Sequence, residues 1–129
     1  MVCSTSVQTE EATLEWTTRL FQAIDRMDAD GFVSFLSENA TFRFGNAEPV
    51  IGKNKIRGAV AGFFASIKGL RHHILTKWKT DDHLVIQGEA TYTRKDDRLV
   101  TIPFVNIFKM DDTLIREYLI YIDTSPLFS

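Results

Sequence analysis

Four polar side chains, Thr76, Gln87, Asn106 and Glu117, fall in the second half of the chain inside segments that are otherwise apolar and β-branched. Left without partners in an apolar interior, such groups cost on the order of 1–3 kcal/mol each, so they must bond to one another, to water or to a ligand. A carboxyl group held beside an amide in an apolar cavity favours its protonated form, which suits a general acid or base near neutrality. On that chemistry Glu117 would move a proton, Asn106 and Gln87 would orient a substrate, and Tyr121 or His72 would hold a developing oxyanion. The alternative is a self-satisfied row of buried hydrogen bonds, or a face that lies in solvent or in a dimer interface.

Other side chains could join them. His72 is either a proton shuttle or a hydrogen-bonded core histidine. Its neighbour His73 would point to the opposite face of a strand, so the two cannot share a metal ion, and neither a metal nor a cofactor is expected. Arg43, between Phe42 and Phe44, would anchor a ligand oxygen or an internal carboxylate, or else face outward on a sheet edge. Asp123 would act as a second base, orient Arg43 or His72, or simply cap the chain's exit turn. Glu89, Phe104 and Trp78 complete the expected lining, with Trp16 in the core or the pocket wall.

These residues must be positioned by strands. From Leu70 onward the hydrophobic period is two, and the spacing predicts strands over 70–80, 83–95, 98–110 and 113–123. The pairs Asp81-Asp82, Asp96-Asp97 and Asp111-Asp112 mark hairpin turns. Counting outward from two-residue turns sets Glu117 opposite Asn106, Gln87 opposite Asn106, Glu89 opposite Phe104, Thr76 opposite Gln87 and His72 opposite Thr91. One face then carries His72, Thr76, Trp78, Gln87, Glu89, Phe104, Asn106, Glu117, Tyr121 and Asp123 among apolar neighbours.

The first half is helical. Apolar residues from Leu14 to Met27 recur at the spacing of one helix face, giving a helix over Glu10 to Met27. Asp28-Ala29-Asp30-Gly31 interrupts it and caps a short second helix bearing Phe32, Phe35 and Leu36; the string lacks the further ligands of a calcium loop. A strand over Ala40 to Phe44 follows, then a third helix from Ile56 to Ile67 that stops at Gly69.

A chain of 129 residues with 44% apolar content makes one domain with one core, spanning 1–129 with a polar leader over residues 1–9. A net charge of −2 gives no reason to seek nucleic acid or an anionic membrane. The first residues lack a secretion signal, no stretch reaches the roughly 20 apolar residues of a membrane span, and lone Cys3 has no internal disulfide partner, so a cytoplasmic protein is expected.

The order of helix, helix, strand, helix and four-strand meander resembles the nuclear transport factor 2-like superfamily in its SnoaL-like branch. The likeness is carried by Asp28-Ala29-Asp30-Gly31, by the run from Asn39 to Asn46, by Pro49-Val50-Ile51-Gly52 with Ile56, and by the run from Tyr121 to Leu127. It implies a cone-shaped α+β barrel, three helices packed on a curved, mostly antiparallel sheet, with a pocket for a small apolar molecule and a homodimer paired through its sheets. Relative to ketosteroid isomerases, Leu20 stands where those enzymes carry a tyrosine, Arg43 or Phe44 where they carry an aspartate, and Asn106 where they carry a second acid. Limonene epoxide hydrolases use residue types found here but without a clear copy of their placement. The SnoaL-type cyclases, with one acid-base carboxylate in a hydrophobic cavity, fit best, with Glu117 or Asp123 in that role. The expected function is therefore a cofactor-independent isomerase, cyclase or hydrolase acting on an apolar oxygenated substrate, or else a non-catalytic binder or dimeric module.

Overall fold

The computed structural model describes residues 15–128; Cys3, the expected leader and the first turn of the expected first helix lie outside them. Helix α1 (15–25) ends because Met27 adopts a left-handed conformation (φ 56°). The Met27 amide then bonds to the Ile24 carbonyl (2.8 Å) and the Asp28 amide to the Ala23 carbonyl (3.0 Å), closing the helix with a Schellman motif. Asp28 caps α2 (Ala29–Val33) by accepting a hydrogen bond from the Gly31 amide at 3.0 Å, so the acidic string is a cap, as its spacing suggested. A Cβ on Gly31 would meet the Asp28 carboxylate at 2.4 Å, which is why glycine stands there. Helix α2 is shorter than the apolar spacing indicated, because Leu36 already opens strand β1 (Leu36–Phe44). Helix α3 (Lys53–Ala65) likewise stops before Gly69, which instead begins β3. Arg57 of α3 and Asp30 of α2 form a surface ion pair, and the guanidinium holds the Asp30 carboxyl below the usual carboxylate range.

Six strands form one open, mixed sheet in the order β2-β1-β6-β5-β4-β3. They are β1, β2 (Val50–Ile51), β3 (Gly69–Lys79), β4 (His83–Thr93), β5 (Leu99–Asp111) and β6 (Leu114–Ile122). Only β1 and β6 run parallel. The other pairs are antiparallel, as the closely spaced hairpins require. The core lies between the helices and the sheet's inner face, where Leu20, Phe32, Ile56, Ile86, Phe108 and Tyr118 are all buried. This is the α+β cone expected from the sequence, with a sheet that curves but does not close.

The register differs from the hairpin count in all three hairpins. Between β4 and β5 the chain turns over Lys95 to Asp97, with Asp97 left-handed (φ 70°) and the Arg94 amide bonded to the Arg98 carbonyl at 2.8 Å. That extra residue sets Ile86, not Gln87, opposite Asn106, and Pro103, not Phe104, opposite Glu89. Between β5 and β6 the turn falls on Asp112-Thr113 instead of Asp111-Asp112, which pairs Ile115 with Met110, and a bulge at Arg116 then pairs Glu117 with Lys109. In β3 a bulge at Leu75 preserves the counted pair of Thr76 with Gln87 but sets His72 opposite Ala90. Because side chains alternate, each one-residue shift exchanges the two faces of the strand beyond it.

Candidate functional site

The inner face beyond those shifts is lined by Leu84, Ile86, Ala90 and Tyr92 of β4, Ile102, Phe104, Asn106 and Phe108 of β5, and Tyr118 of β6. Gly88 belongs to the same face: a Cβ there would lie 2.3 Å from the His73 carbonyl oxygen and 3.1 Å from the Phe104 ring. Under this face, walled by α3, the turn after β1 and the end of β6, lies a cavity of about 330 Å³, within the usual size of small-molecule sites. Its exposed lining residues, Asn46, Ala47, Glu48, Ala59 and Phe128, mark the mouth. Its depth is aromatic and aliphatic, interrupted by His72, Asn106, Tyr92 and Tyr118.

His72 lies on the sheet-edge strand β3, and its free edge is covered by Asp25 in the last turn of α1. One Asp25 oxygen sits 2.7 Å from His72 Nδ1 and the other accepts the His72 backbone amide at 3.1 Å. An ionised carboxylate can only accept, so Nδ1 carries the proton, and in the neutral imidazole Nε2 is the nitrogen with the lone pair. The ring is held between Phe21, 4.9 Å away, and Phe104, which meets it edge-on at 5.2 Å. His72 is 11% exposed and Asp25 27% exposed at the side chain, so the pair is screened from bulk water while staying within reach of it. An acid in the last helical turn opposes the helix dipole, which fits a position kept for a partner across the structure and not for helix stability.

Asn106 is 2% exposed, and its Oδ1 is the one buried side-chain polar atom without a hydrogen-bond partner among the described residues. Burial pushes the Tyr92 and Tyr118 hydroxyls well above the ordinary phenol range, with the negative charge of Asp25 adding to the effect at both, so they remain neutral. On the far side of His72, a smaller cleft of about 250 Å³ is bordered by Asp25, Gln22 and Lys77. The Leu75 bulge turns Lys77 toward the inner side, and burial pushes its ammonium below the usual lysine range.

Of the residues singled out from the sequence, the structure brings His72, Asn106 and Phe104 together on the cavity wall. Glu117 pairs with Lys109 on the outer face, and Gln87 and Glu89 are exposed there opposite Val105 and Pro103. Tyr121 (57% exposed) and Trp78 (51%) also face outward, so none of these five lines the cavity. Arg43 is exposed and donates from Nε to the Ala47 carbonyl at 3.1 Å. Asp123 accepts the Ser125 amide at 3.0 Å, which lowers its pKa, and so caps the exit turn. Trp16 packs in the core against Phe35 and Phe108. Among the described residues no group of His, Cys, Asp or Glu is placed to hold a metal ion, and no helix is long and apolar enough to cross a membrane. Asp25 was missed because it carries no periodic signal; the dipole conflict was the one clue available.

The family model described as a SnoaL-like domain matches residues 17–118. Among solved structures, a hypothetical protein of ketosteroid isomerase-like fold from Catenulispora acidiphila, in complex with trimethylamine, is similar at TM-score 0.80 and 16% identity, over 88% of each chain. A putative SnoaL-like polyketide cyclase from Jannaschia is similar at 0.74 and 19% identity, covering 85% of this chain and 84% of that one. An LEH-like epoxide hydrolase from M. tuberculosis is similar at TM-score 0.73 and 13% identity, covering 88% of this chain and 84% of that one. No curated protein matches.

Proposed function

Given that the chain belongs to the SnoaL-like domain family, we propose that it is a cofactor-independent enzyme that moves a proton on a small, apolar, oxygenated substrate, as an isomerase, cyclase or hydrolase. The observation that carries this is the 2.7 Å contact between His72 Nδ1 and Asp25, with the same imidazole in the cavity wall. His72 Nε2 takes a proton from a carbon beside the substrate's carbonyl, or from a water aimed at an epoxide. Asp25 stabilises the imidazolium that forms, and a neutral tyrosine hydroxyl of the lining donates to the oxygen on which negative charge develops. The imidazolium then returns the proton to the product. The working carboxylate is thus Asp25, acting through the histidine, and not Glu117 or Asp123. Polyketide cyclases and epoxide hydrolases among the similar structures support the choice of chemistry.

Turnover of a panel of hydrophobic ketones and epoxides, followed by product analysis, tests this. Asp25→Asn should lower it by about 10²–10⁴-fold with ligand binding retained, whereas Glu117→Gln should leave it unchanged. Full turnover in Asp25→Asn would defeat the assignment. The almost wholly apolar lining also suits a non-catalytic binder, and binding across the panel without any turnover would favour that reading.

A further inference from the structure

Among the described residues that line the cavity, Glu48 is the only carboxylate, and there is neither lysine nor arginine. It sits in the turn after β1, which is fixed in place: the Gly45 amide bonds to the Ile120 carbonyl at 2.9 Å, the Ala47 amide to the Phe44 carbonyl at 3.1 Å, and Arg43 Nε to the Ala47 carbonyl at 3.1 Å. Gly45 is left-handed (φ 60°), and a Cβ there would lie 3.2 Å from the Ile122 carbonyl oxygen, so the turn is held against β6. Arg43 is engaged by that carbonyl, Lys53, equally near in sequence, starts α3 outside the cavity lining, and Glu48 forms no ion pair among the described residues.

From this we propose that the cavity takes an apolar ligand whose outer end donates a hydrogen bond to Glu48, an ammonium or hydroxyl group, and that it rejects a carboxylate. An anion entering the cavity would shed its hydration with no cation to receive it, and would meet Glu48 at the mouth. An ammonium group would gain both the carboxylate and the negative faces of aromatic rings in the lining, among them the exposed Phe128 and the half-buried Phe44. At the inner end, the neutral tyrosine hydroxyls can donate to an uncharged oxygen, and the open Asn106 Oδ1 can accept from a hydroxyl. The inference rests on the cavity being a binding site, as proposed above, but not on the His72–Asp25 pair being catalytic.

Isothermal titration with 2-naphthylmethylamine, 2-naphthylmethanol and 2-naphthoic acid at pH 7 tests it. The amine and the alcohol should bind at least about tenfold more tightly than the acid, the amine most tightly of the three. Glu48→Gln should reduce the amine's advantage over the alcohol several-fold with an unchanged melting curve, and Glu48→Lys should improve binding of the acid. Equal or tighter binding of the acid by the unaltered protein would overturn the proposal, as would ratios that Glu48→Gln and Glu48→Lys both leave unmoved. Failure of all three probes to bind would overturn it too, because an open apolar cavity of this size must admit a bicyclic hydrocarbon. Since binding alone is read, an active Asp25→Asn variant would defeat the catalytic reading and leave this one standing; a reversed binding order would do the opposite.

Discussion

Replacing Asn106 with leucine should make the protein more stable and less useful. The two side chains share a branched skeleton with the same number of heavy atoms, so the substitution trades polarity for apolarity with little change of shape. In the structure the amide oxygen is buried without a partner, between Ile86 on one neighbouring strand and Ile120 on the other. Removing an orphaned buried acceptor recovers roughly 1–3 kcal/mol, and imperfect refitting of the methyl groups costs up to about 1 kcal/mol, for a net gain near 1–2 kcal/mol. In a chain of 129 residues that corresponds to a rise of roughly 3–8 °C in Tm. Urea unfolding should show a higher midpoint with an unaltered slope, while a ligand whose hydroxyl donates to the Asn106 oxygen should bind more weakly. A loss of 1 kcal/mol or more would refute the reasoning, since it would mean that the amide is already satisfied within the folded protein and serves the core.

Two further outcomes are expected. Tyr92 and Tyr118 have folded-state pKa values raised above the unfolded value, mainly by burial; their contribution is therefore complete below about pH 10 and is lost above it, by up to roughly 1.4 kcal/mol per pH unit for each. Alkaline denaturation curves should steepen accordingly, and Tyr118→Phe should remove about half of that dependence; phenols that all ionise near pH 10 in the folded state would contradict the burial argument. The homodimer implied by the family resemblance should appear in light scattering at twice 14.7 kDa, held through the outer sheet face where Leu75, Trp78 and Tyr121 are exposed. Trp78→Glu should then dissociate it, and a monomeric wild-type protein would dismiss that interface.

Periodicity made the fold legible. Alternation in β5 correctly put Ile102, Phe104, Asn106 and Phe108 on one face, and that face is the buried one. His72 was also placed on the correct face, since the Leu75 bulge in β3 was offset by the extra turn residue before β5. The faces of β4 and β6 were not legible by counting from turns, because a left-handed Asp97 and a bulge at Arg116 are backbone choices that no side-chain pattern announces. The strands' own composition was the better guide: Leu84, Ile86, Ala90 and Tyr92 form a more apolar set than Val85, Gln87, Glu89 and Thr91. Likewise Tyr118, Ile120 and Ile122 outweigh Glu117, Leu119, Tyr121 and Asp123. Asp25 lay beyond either method, since its partner is 47 residues away and the contact depends on how α1 crosses the sheet edge.

The Arg116 bulge has a meaning for descent. It separates Ile115, which faces the core, from a run in which Tyr118 faces the core and Glu117, Leu119 and Tyr121 face out. Losing one codon at this place would restore unbroken alternation while leaving the same side chains, Ile115 and Tyr118 among them, turned to the interior. A lineage carrying this architecture can therefore lose or regain the extra residue without relining the cavity, so the strand tolerates at this point a change of length that would invert its faces anywhere else.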